Sequence, residues 1–234
     1  MPPALKGAKT PDESKYLDYA LDPSVTHEMS RVFGNSEPAP AKWAGYDHKL
    51  LGSGVIAYYV NPEEVVDLYP EYQKPTVRQE LRKELGTTEP YIGLNPGIMK
   101  MSKEKAYSIM DHEKSHGAQP KGKLALKGIY AVTPAGEIPL GEMLIEGWNE
   151  YGLEKSGRKP PSRYLDEDGN GKALYGHYRD FVYEIEQNSP GITRQIMRTA
   201  KRAGPNAAMR LIESVPGIDK LATKYAYKLN NKMN

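Results

Sequence analysis

Residues 102–117 read SKEKAYSIMDHEKSHG, and this stretch decides which fold we expect. Ser102 is a favoured helix N-cap, because its hydroxyl can accept a hydrogen bond from a main-chain amide of the first turn. Gly117 is the type of residue at which helices commonly end. The pattern therefore predicts one helix that begins just after Ser102 and runs to about His116.

Two histidines four residues apart lie in the second half of this predicted helix, in the sequence His112-Glu113-Lys114-Ser115-His116. Residues four apart on a helix share a face, so His112 and His116 can offer two imidazoles to one metal ion. Glu113 is rotated by one residue and can accept a proton from a water molecule beside the metal. The H-E-x-x-H spacing therefore indicates a hydrolytic metal site.

The absence of cysteine limits how this chain can hold a metal. Its 234 residues include no cysteine and five histidines. Disulfides, thiolate nucleophiles, iron–sulfur clusters and Cys-ligated zinc fingers are therefore excluded. Zinc is the expected ion for neutral imidazoles with a carboxylate and without sulfur. A catalytic zinc site needs three protein ligands and one open position.

A second helix, predicted over residues 141–155, carries acidic residues four apart at Glu142, Glu146 and Glu150. They share one stripe of the helix, so the spacing alone allows any of them to face the metal. Gly147 favours Glu146, because a residue without a side chain lets two helices approach closely. The competing interpretation is an acidic stripe that faces solvent.

The segment EGWNE at residues 146–150, downstream of H-E-x-x-H, resembles the second motif of the gluzincin metallopeptidases, which include thermolysin-like and aminopeptidase enzymes. The resemblance implies that Glu146 is the third zinc ligand and that Glu150 orients a ligand histidine. It also implies peptide-bond hydrolysis with one Zn²⁺ per chain. Glu113 would be the general base that passes a proton to the leaving amine.

The resemblance covers about residues 91–155 and departs from the gluzincin pattern in two places. The spacer between His116 and Glu146 is 29 residues, longer than in thermolysin-like and aminopeptidase enzymes. A β segment predicted within the spacer can explain the excess. Asp111 precedes His112 where apolar residues are common, and we expect it to be a charge on the helix surface.

A strand before the motif and polar side chains after it are candidates for contact with a substrate. A strand around Tyr91 to Asn95 either pairs with an extended peptide substrate, as gluzincin edge strands do, or is an ordinary core strand. Stabilising the transition state also requires a hydrogen-bond donor to the oxyanion. The candidate donors in or beyond the second helix are Tyr151, Tyr175, His177 and Tyr178.

Predicted strands concentrate in the first half of the chain and predicted helices in the second. This order is typical of an α+β fold rather than a doubly wound sheet. The resemblance implies a zincin-like core, in which a small mixed sheet accompanies the active-site helix. We expect an irregular N-terminal arm over residues 1–45, a catalytic domain over 46–189 and a basic helical C-terminal region over 190–234.

The C-terminal region is basic although the whole chain has a net charge of only +2. Residues 190–234 contain nine Lys or Arg and two acidic residues, a local charge of +7. The last predicted helix has a lysine at every fourth position, at Lys220, Lys224, Lys228 and Lys232. We favour a solvated face for this stripe. The residues expected on the buried side are Ile218, Leu221, Tyr225 and Leu229.

This basic region supports an alternative function, because a lysine stripe also suits an anionic surface. The chain would then be a nucleic-acid- or particle-binding protein in which the zincin-like core is structural. The leading expectation remains an enzyme that acts on a peptide or protein substrate.

One loop of the sequence contains part of a calcium-binding pattern. Asp166, Asp168 and Asn170 alternate as in the start of an EF-hand loop. The twelfth position is His177 rather than a bidentate glutamate, so a polar turn is favoured over Ca²⁺.

No apolar run approaches the roughly 18 residues of a membrane span, and the N-terminus lacks the apolar core of a secretory signal. We expect a cytoplasmic protein, with export by another route and virion association left open.

Overall fold

The computed structural model describes residues 6–68, 75–76, 79–80, 83, 86–121, 123–167 and 174–230. The chain packs as two compact units, Met1–Gln119 and Pro120–Asn234, here called unit 1 and unit 2. Both contain helices and short strands, so the predicted α+β class is confirmed. The division into an N-terminal arm (1–45), a catalytic domain (46–189) and a basic C-terminal region (190–234) stays a prediction.

The N-terminal arm predicted to be irregular is helical over Pro11–Leu21, helix α1, and the prediction is wrong there. The Thr10 hydroxyl accepts a 3.2 Å hydrogen bond from the Glu13 amide, and the Glu13 carboxylate accepts one of 2.8 Å from the Thr10 amide. This reciprocal pair is a capping box, which satisfies two main-chain donors at the start of a helix. Pro11 follows at the first helical position, where its missing N–H leaves no bond unmade.

Helix α2, Ser24–Phe33, is the second helical part of the same arm. Val25, Met29 and Phe33 recur every four residues and form its buried face. Gly34 ends the helix at φ +61°, a left-handed conformation that costs glycine little. The Pro, Ser and Gly content of the arm thus reflects helix ends and short connections between packed helices.

A three-stranded sheet in unit 1 has the strand order β1-β3-β2. The strands are β1 (Trp43–Tyr46), β2 (Ala57–Val60) and β3 (Tyr91–Leu94). β3 is parallel to β1 and antiparallel to β2. The predicted pairing of β3 with substrate is therefore wrong, because its neighbours occupy both of its hydrogen-bonding edges. The alternative, a core strand, is confirmed by the complete burial of Ile92 and Leu94.

Two more helices belong to unit 1, α3 (Pro62–Leu68) and α4 (Lys103–His116). Short 3-10 helices lie at His48–Leu50 and Pro96–Lys100. Helix α4 packs against α1, α2 and β2. The core of the unit includes the buried side chains of Leu17, Tyr46, Ile92, Leu94, Ile98 and Met110.

Unit 2 begins with a 3-10 helix at Lys123–Leu126 and an antiparallel hairpin, β4 (Ala131–Thr133) and β5 (Gly136–Ile138). The helices that follow are α5 (Leu140–Lys155), α6 (Pro161–Glu167), α7 (Leu174–Asn188), α8 (Ile192–Ala203), α9 (Pro205–Glu213) and α10 (Ile218–Asn230). α5 and α7 pack along each other and form the centre of the unit. The predicted long helix at residues 141–155 corresponds to α5.

The lysine stripe of α10 is partly engaged within unit 2. Lys224 makes a 2.7 Å ion pair with Glu184, and the Lys228 ammonium lies 4.3 Å from the ring centroid of Tyr225. Lys232 lies outside the described residues. Ile218, Leu221 and Tyr225 are buried, as predicted. Leu229, the fourth residue expected on that side, is half-buried. Nucleic-acid binding by this region stays a prediction.

The predicted calcium ligands Asp168 and Asn170 lie outside the described residues, as does the side chain of Asp166. Among the helices in the described ranges, none is both long and apolar enough to cross a membrane. The expected cytoplasmic location stays a prediction.

Candidate metal centre

Helix α4 carries both motif histidines, and its bounds agree with those predicted. The Ser102 hydroxyl accepts a 3.3 Å hydrogen bond from the Lys105 amide and so caps the first turn. Gly117 ends the helix at φ −68°, so a left-handed turn is not the reason for a glycine there. The reason is a close approach, because a Cβ on Gly117 would lie 2.4 Å from the carbonyl oxygen of Ala39.

The side chains of His112, His116 and Glu146 form a group whose ligand atoms, one from each residue, lie within 4.8 Å of one another. The two imidazole rings are one helical turn apart, 5.1 Å between centroids and inclined at 80°. His112 is 3% exposed and Glu146 is 8% exposed, whereas His116 is half-buried. These three residues, which the sequence predicted as ligands, could hold a metal ion.

The donor set of this group fits a metal ion. Tetrahedral zinc with bonds of about 2.0–2.1 Å places neighbouring ligand atoms roughly 3.3 Å apart. The three ligand atoms of this group lie within 4.8 Å of one another, a range that includes the roughly 3.3 Å spacing around tetrahedral zinc. A bound cation would favour the charged form of the buried Glu146 carboxylate. Two imidazoles and one carboxylate leave a fourth position for water or substrate, as in catalytic zinc sites.

The acidic stripe of α5 does not face solvent, so that alternative interpretation is wrong. Glu142 is half-buried, and its pKa is raised by burial and by the charge of Glu146, with Lys127 opposing the shift. Glu150 is fully buried, and its Oε2 accepts a 3.2 Å hydrogen bond from the Ser162 amide. The predicted orientation of a ligand histidine by Glu150 stays a prediction.

Gly147 permits the close helix approach that its sequence position predicted, and the helix it meets is α7. A Cβ on Gly147 would lie 2.2 Å from the carbonyl oxygen of Tyr178 and 2.9 Å from Cγ2 of Val182. Backbone therefore contacts backbone at this point. The contact fixes the helix that carries Glu146 against its neighbour within unit 2.

Tyr178, one of the four predicted oxyanion donors, interacts with the acidic stripe of α5. Burial raises the pKa of its hydroxyl above the ordinary 10.0, and the charges of Glu142 and Glu146 raise it further. The hydroxyl is therefore protonated at neutral pH and able to donate a hydrogen bond.

The other predicted donors have different surroundings. The Tyr151 ring lies 6.2 Å from that of Tyr183, and Lys155 is 5.4 Å from the Tyr151 ring centroid. Tyr175 is 36% exposed, and His177 is buried. Which of the four donates to an oxyanion stays a prediction.

Asp111 is buried, which corrects its predicted place on the helix surface. Tyr19 of α1 donates a 2.7 Å hydrogen bond to it, and the Lys114 ammonium lies 4.0 Å away. Lys114 is 1% exposed, and its ammonium sits 3.7 Å from the centroid of the Tyr19 ring. Sequence analysis did not identify Tyr19, because no local pattern joins residues that are 92 positions apart.

No protein-family model, curated protein or solved structure matches this chain. The arrangement of its own residues therefore carries the functional interpretation. They define an α+β protein with a largely buried His–His–Glu group able to hold a metal ion.

Proposed function

We propose that this chain is a zinc-dependent metallopeptidase. The observation that carries the proposal is the approach of the His112, His116 and Glu146 ligand atoms to within 4.8 Å, with Glu113 directly after His112. Two imidazoles and a carboxylate suit zinc, and three ligands leave a position for the reacting water. A glutamate next to the first histidine of H-E-x-x-H is the general base that such hydrolysis needs.

The side chains of this protein divide the proposed reaction between them. His112, His116 and Glu146 would hold the zinc, which would supply Lewis-acid chemistry at the scissile carbonyl and at a water molecule. Glu113, which is half-buried, accepts a proton from the attacking water and passes it to the leaving amine. The hydroxyl of Tyr178 donates a hydrogen bond to the oxyanion that develops on the carbonyl.

A gluzincin-like arrangement is the form of the proposal that these residues support best. Glu146 lies on a helix downstream of the motif helix, as in that group, and Glu150 follows one turn later. Helix α4 and the mixed sheet of unit 1 would be the active-site helix and sheet of a zincin-like core. An extended peptide would pair with the outer side of β2, because β2 ends the strand order.

Metal content and proteolysis of the purified chain test the proposal. We expect about one zinc per chain and cleavage within a mixed peptide library, detected by mass spectrometry. A chelator should abolish cleavage, and added Zn²⁺ should restore it. Glu113→Gln should keep the zinc and lower the cleavage rate by about 10²–10⁴-fold, the usual contribution of general acid–base catalysis. His116→Ala should lose both zinc and cleavage.

Glu104→Gln is the matched control for Glu113→Gln. Glu104 is an exposed residue in the first turn of the same helix, so the same loss of charge there should preserve zinc and activity. A wild-type chain that binds no zinc overturns the proposal. Full activity in Glu113→Gln overturns the assigned mechanism.

A further inference from the structure

Helix α4 ends at His116, a residue that the proposed function makes a metal ligand. The last carbonyl groups of a helix have no partner within it, so the final turn frays unless other donors bind them. A metal site tolerates displacements of its ligands of only about half an ångström. Donors at this end of α4 therefore bear directly on the metal centre.

The segment that follows α2 supplies donors to the residues directly beyond this end. The Ala39 amide donates a 2.7 Å hydrogen bond to the carbonyl of Gly117. The side-chain amide of Asn35 donates to the carbonyls of Ala118, at 3.0 Å, and Gln119, at 3.1 Å. Three consecutive carbonyls directly after His116 are thus bound by two residues of one short segment.

Helix α2 adds a bond one turn earlier. The Thr26 hydroxyl donates a 3.1 Å hydrogen bond to the carbonyl of Lys114, and Thr26 is almost completely buried. The carbonyls bound from outside the helix therefore extend over the turn that contains His116, from residue 114 to residue 119.

Asn35 is itself held in place. Its main-chain amide donates a 2.8 Å hydrogen bond to the carbonyl of Ser30 at the end of α2. Its side-chain oxygen accepts one of 3.1 Å from the Glu37 amide. The side-chain nitrogen donates a 3.3 Å bond to the Glu37 carbonyl as well as the two shorter bonds at the end of α4, so the side chain is fixed in place. A fixed donor is worth more than a mobile one.

The same segment contacts α4 too closely to slide along it. Gly117 leaves room for the Ala39 carbonyl oxygen, which a Cβ would approach to 2.4 Å. That oxygen also accepts a 2.6 Å hydrogen bond from the hydroxyl of Tyr59 on β2. Segment and helix end are therefore locked together by backbone contact as well as by hydrogen bonds.

We propose that Asn35 is a positioning residue for the metal centre. Through the carbonyls of Ala118 and Gln119 it fixes the chain directly after α4 and so holds the His116 imidazole in metal-binding geometry. This inference rests on the proposed metal site. It assigns a role in metal binding to a segment that the sequence indicated only as part of an irregular arm.

Asn35→Ala tests the inference, because it removes the bonds donated to Ala118 and Gln119 and leaves the metal ligands intact. Asn95→Ala is the matched control. Asn95 also donates from its side chain to two distant main-chain carbonyls of unit 1, those of Leu50 at 2.7 Å and Val55 at 2.8 Å. Both side chains also accept a bond from an amide two residues later, which each variant loses as well, and Asn35→Ala further loses a local 3.3 Å bond to the Glu37 carbonyl. Of the two residues, Asn35 is the one that binds the chain at the end of α4.

Three quantities are measured on the full chain. They are the Zn²⁺ dissociation constant in competition with a chromophoric chelator, the visible absorption spectrum of the Co²⁺ form, and the midpoint of thermal unfolding without metal. We expect Asn35→Ala to weaken Zn²⁺ binding by about 10-fold, at the lower end for residues that support metal ligands. Its Co²⁺ spectrum should change, because the spectrum reports ligand geometry. Asn95→Ala should lower the unfolding midpoint and keep wild-type affinity and spectrum.

The outcomes separate this inference from the proposed function. If wild type binds Zn²⁺ and Asn35→Ala keeps its affinity and spectrum, the inference is overturned and the metal site stands. A wild type that binds no Zn²⁺ overturns both. If Asn35→Ala does not fold, Asn35→Asp replaces it, because it keeps the shape of the side chain and the oxygen that accepts from the Glu37 amide but cannot donate. Wild-type affinity and spectrum in Asn35→Asp would then overturn the inference.

Discussion

The hydroxyl of Tyr19 donates a 2.7 Å hydrogen bond to the carboxylate of Asp111, one residue before His112. The ammonium of Lys114 lies 4.0 Å from the same carboxylate and over the Tyr19 ring. Lys114 and Asp111 are both buried, so these charges have little access to water. A polar cluster thus joins α1 to the helix that carries both motif histidines.

Breaking this cluster should destabilise unit 1. Asp111→Ala leaves the Lys114 ammonium buried without its carboxylate, and we expect a loss of about 3–5 kcal/mol in the free energy of unfolding. Tyr19→Phe removes one hydrogen bond to a charged group and should cost about 1.5–3 kcal/mol. Urea unfolding at neutral pH, without added metal, measures both changes.

Asp12→Ala is the control for Asp111→Ala. Asp12 forms a 3.0 Å ion pair with Lys15, and both side chains are largely exposed. Water screens such a pair, so its loss should leave the free energy of unfolding nearly unchanged. Equal losses in Asp111→Ala and Asp12→Ala would show that the buried cluster has no special contribution.

Helix α4 could be predicted from the sequence, because residues close together in the chain determine its ends and its faces. The N-cap at Ser102 and the end at Gly117 define α4, and the four-residue spacing places His112 and His116 on one face. The spacing alone left three acidic residues equivalent, and Glu146 was distinguished by the Gly147 beside it and by the resemblance to a motif. In the structure, His112, His116 and Glu146 are a group that could hold a metal ion.

Pairings between distant residues account for the errors. The central place of β3 depends on β1 and β2, which no property of residues 91–94 encodes. The surface position expected for Asp111 failed because its partner Tyr19 lies in another helix. The helix at residues 11–21 is a different case, because its Thr-Pro-Asp-Glu capping box was readable and the Pro, Ser and Gly content of the arm outweighed it.

Gly147→Ala should disturb the packing of α5 on α7. The new Cβ would meet the Tyr178 carbonyl oxygen at 2.2 Å, and neither backbone can move without shifting its helix. We expect a loss of about 1–3 kcal/mol, the usual cost of overpacking. Thermal or urea unfolding measures it.

Gly128→Ala is the control in the same unit, because a Cβ at Gly128 has no heavy atom of the described structure within 4 Å beyond its neighbours in the chain. That variant should be neutral or slightly stabilising, since alanine restricts the unfolded chain more than glycine does. A Gly147→Ala protein as stable as Gly128→Ala would contradict the close backbone contact.

Tyr178→Phe should separate catalysis from metal binding. Burial and the charges of Glu142 and Glu146 raise the pKa of its hydroxyl above the ordinary 10.0, so the hydroxyl is protonated at neutral pH, as tyrosine normally is. If it donates to the oxyanion, its removal should lower kcat by about 10²–10³-fold, as for other single oxyanion donors. KM should change little, because the oxyanion forms only as the reaction proceeds. Steady-state kinetics on a peptide that the wild type cleaves would measure both constants.

Tyr183→Phe distinguishes this role from a general effect of losing a hydroxyl on α7. Tyr183 lies on the same helix, is 44% exposed and is not among the predicted donors, so its variant should keep wild-type kcat. Zinc content must be equal in both variants, since a loss of metal would lower the rate without any loss of an oxyanion donor. Tyr178→Phe with full zinc and wild-type kcat would remove Tyr178 from the mechanism and leave Tyr151, Tyr175 and His177 as the predicted donors to be tested next.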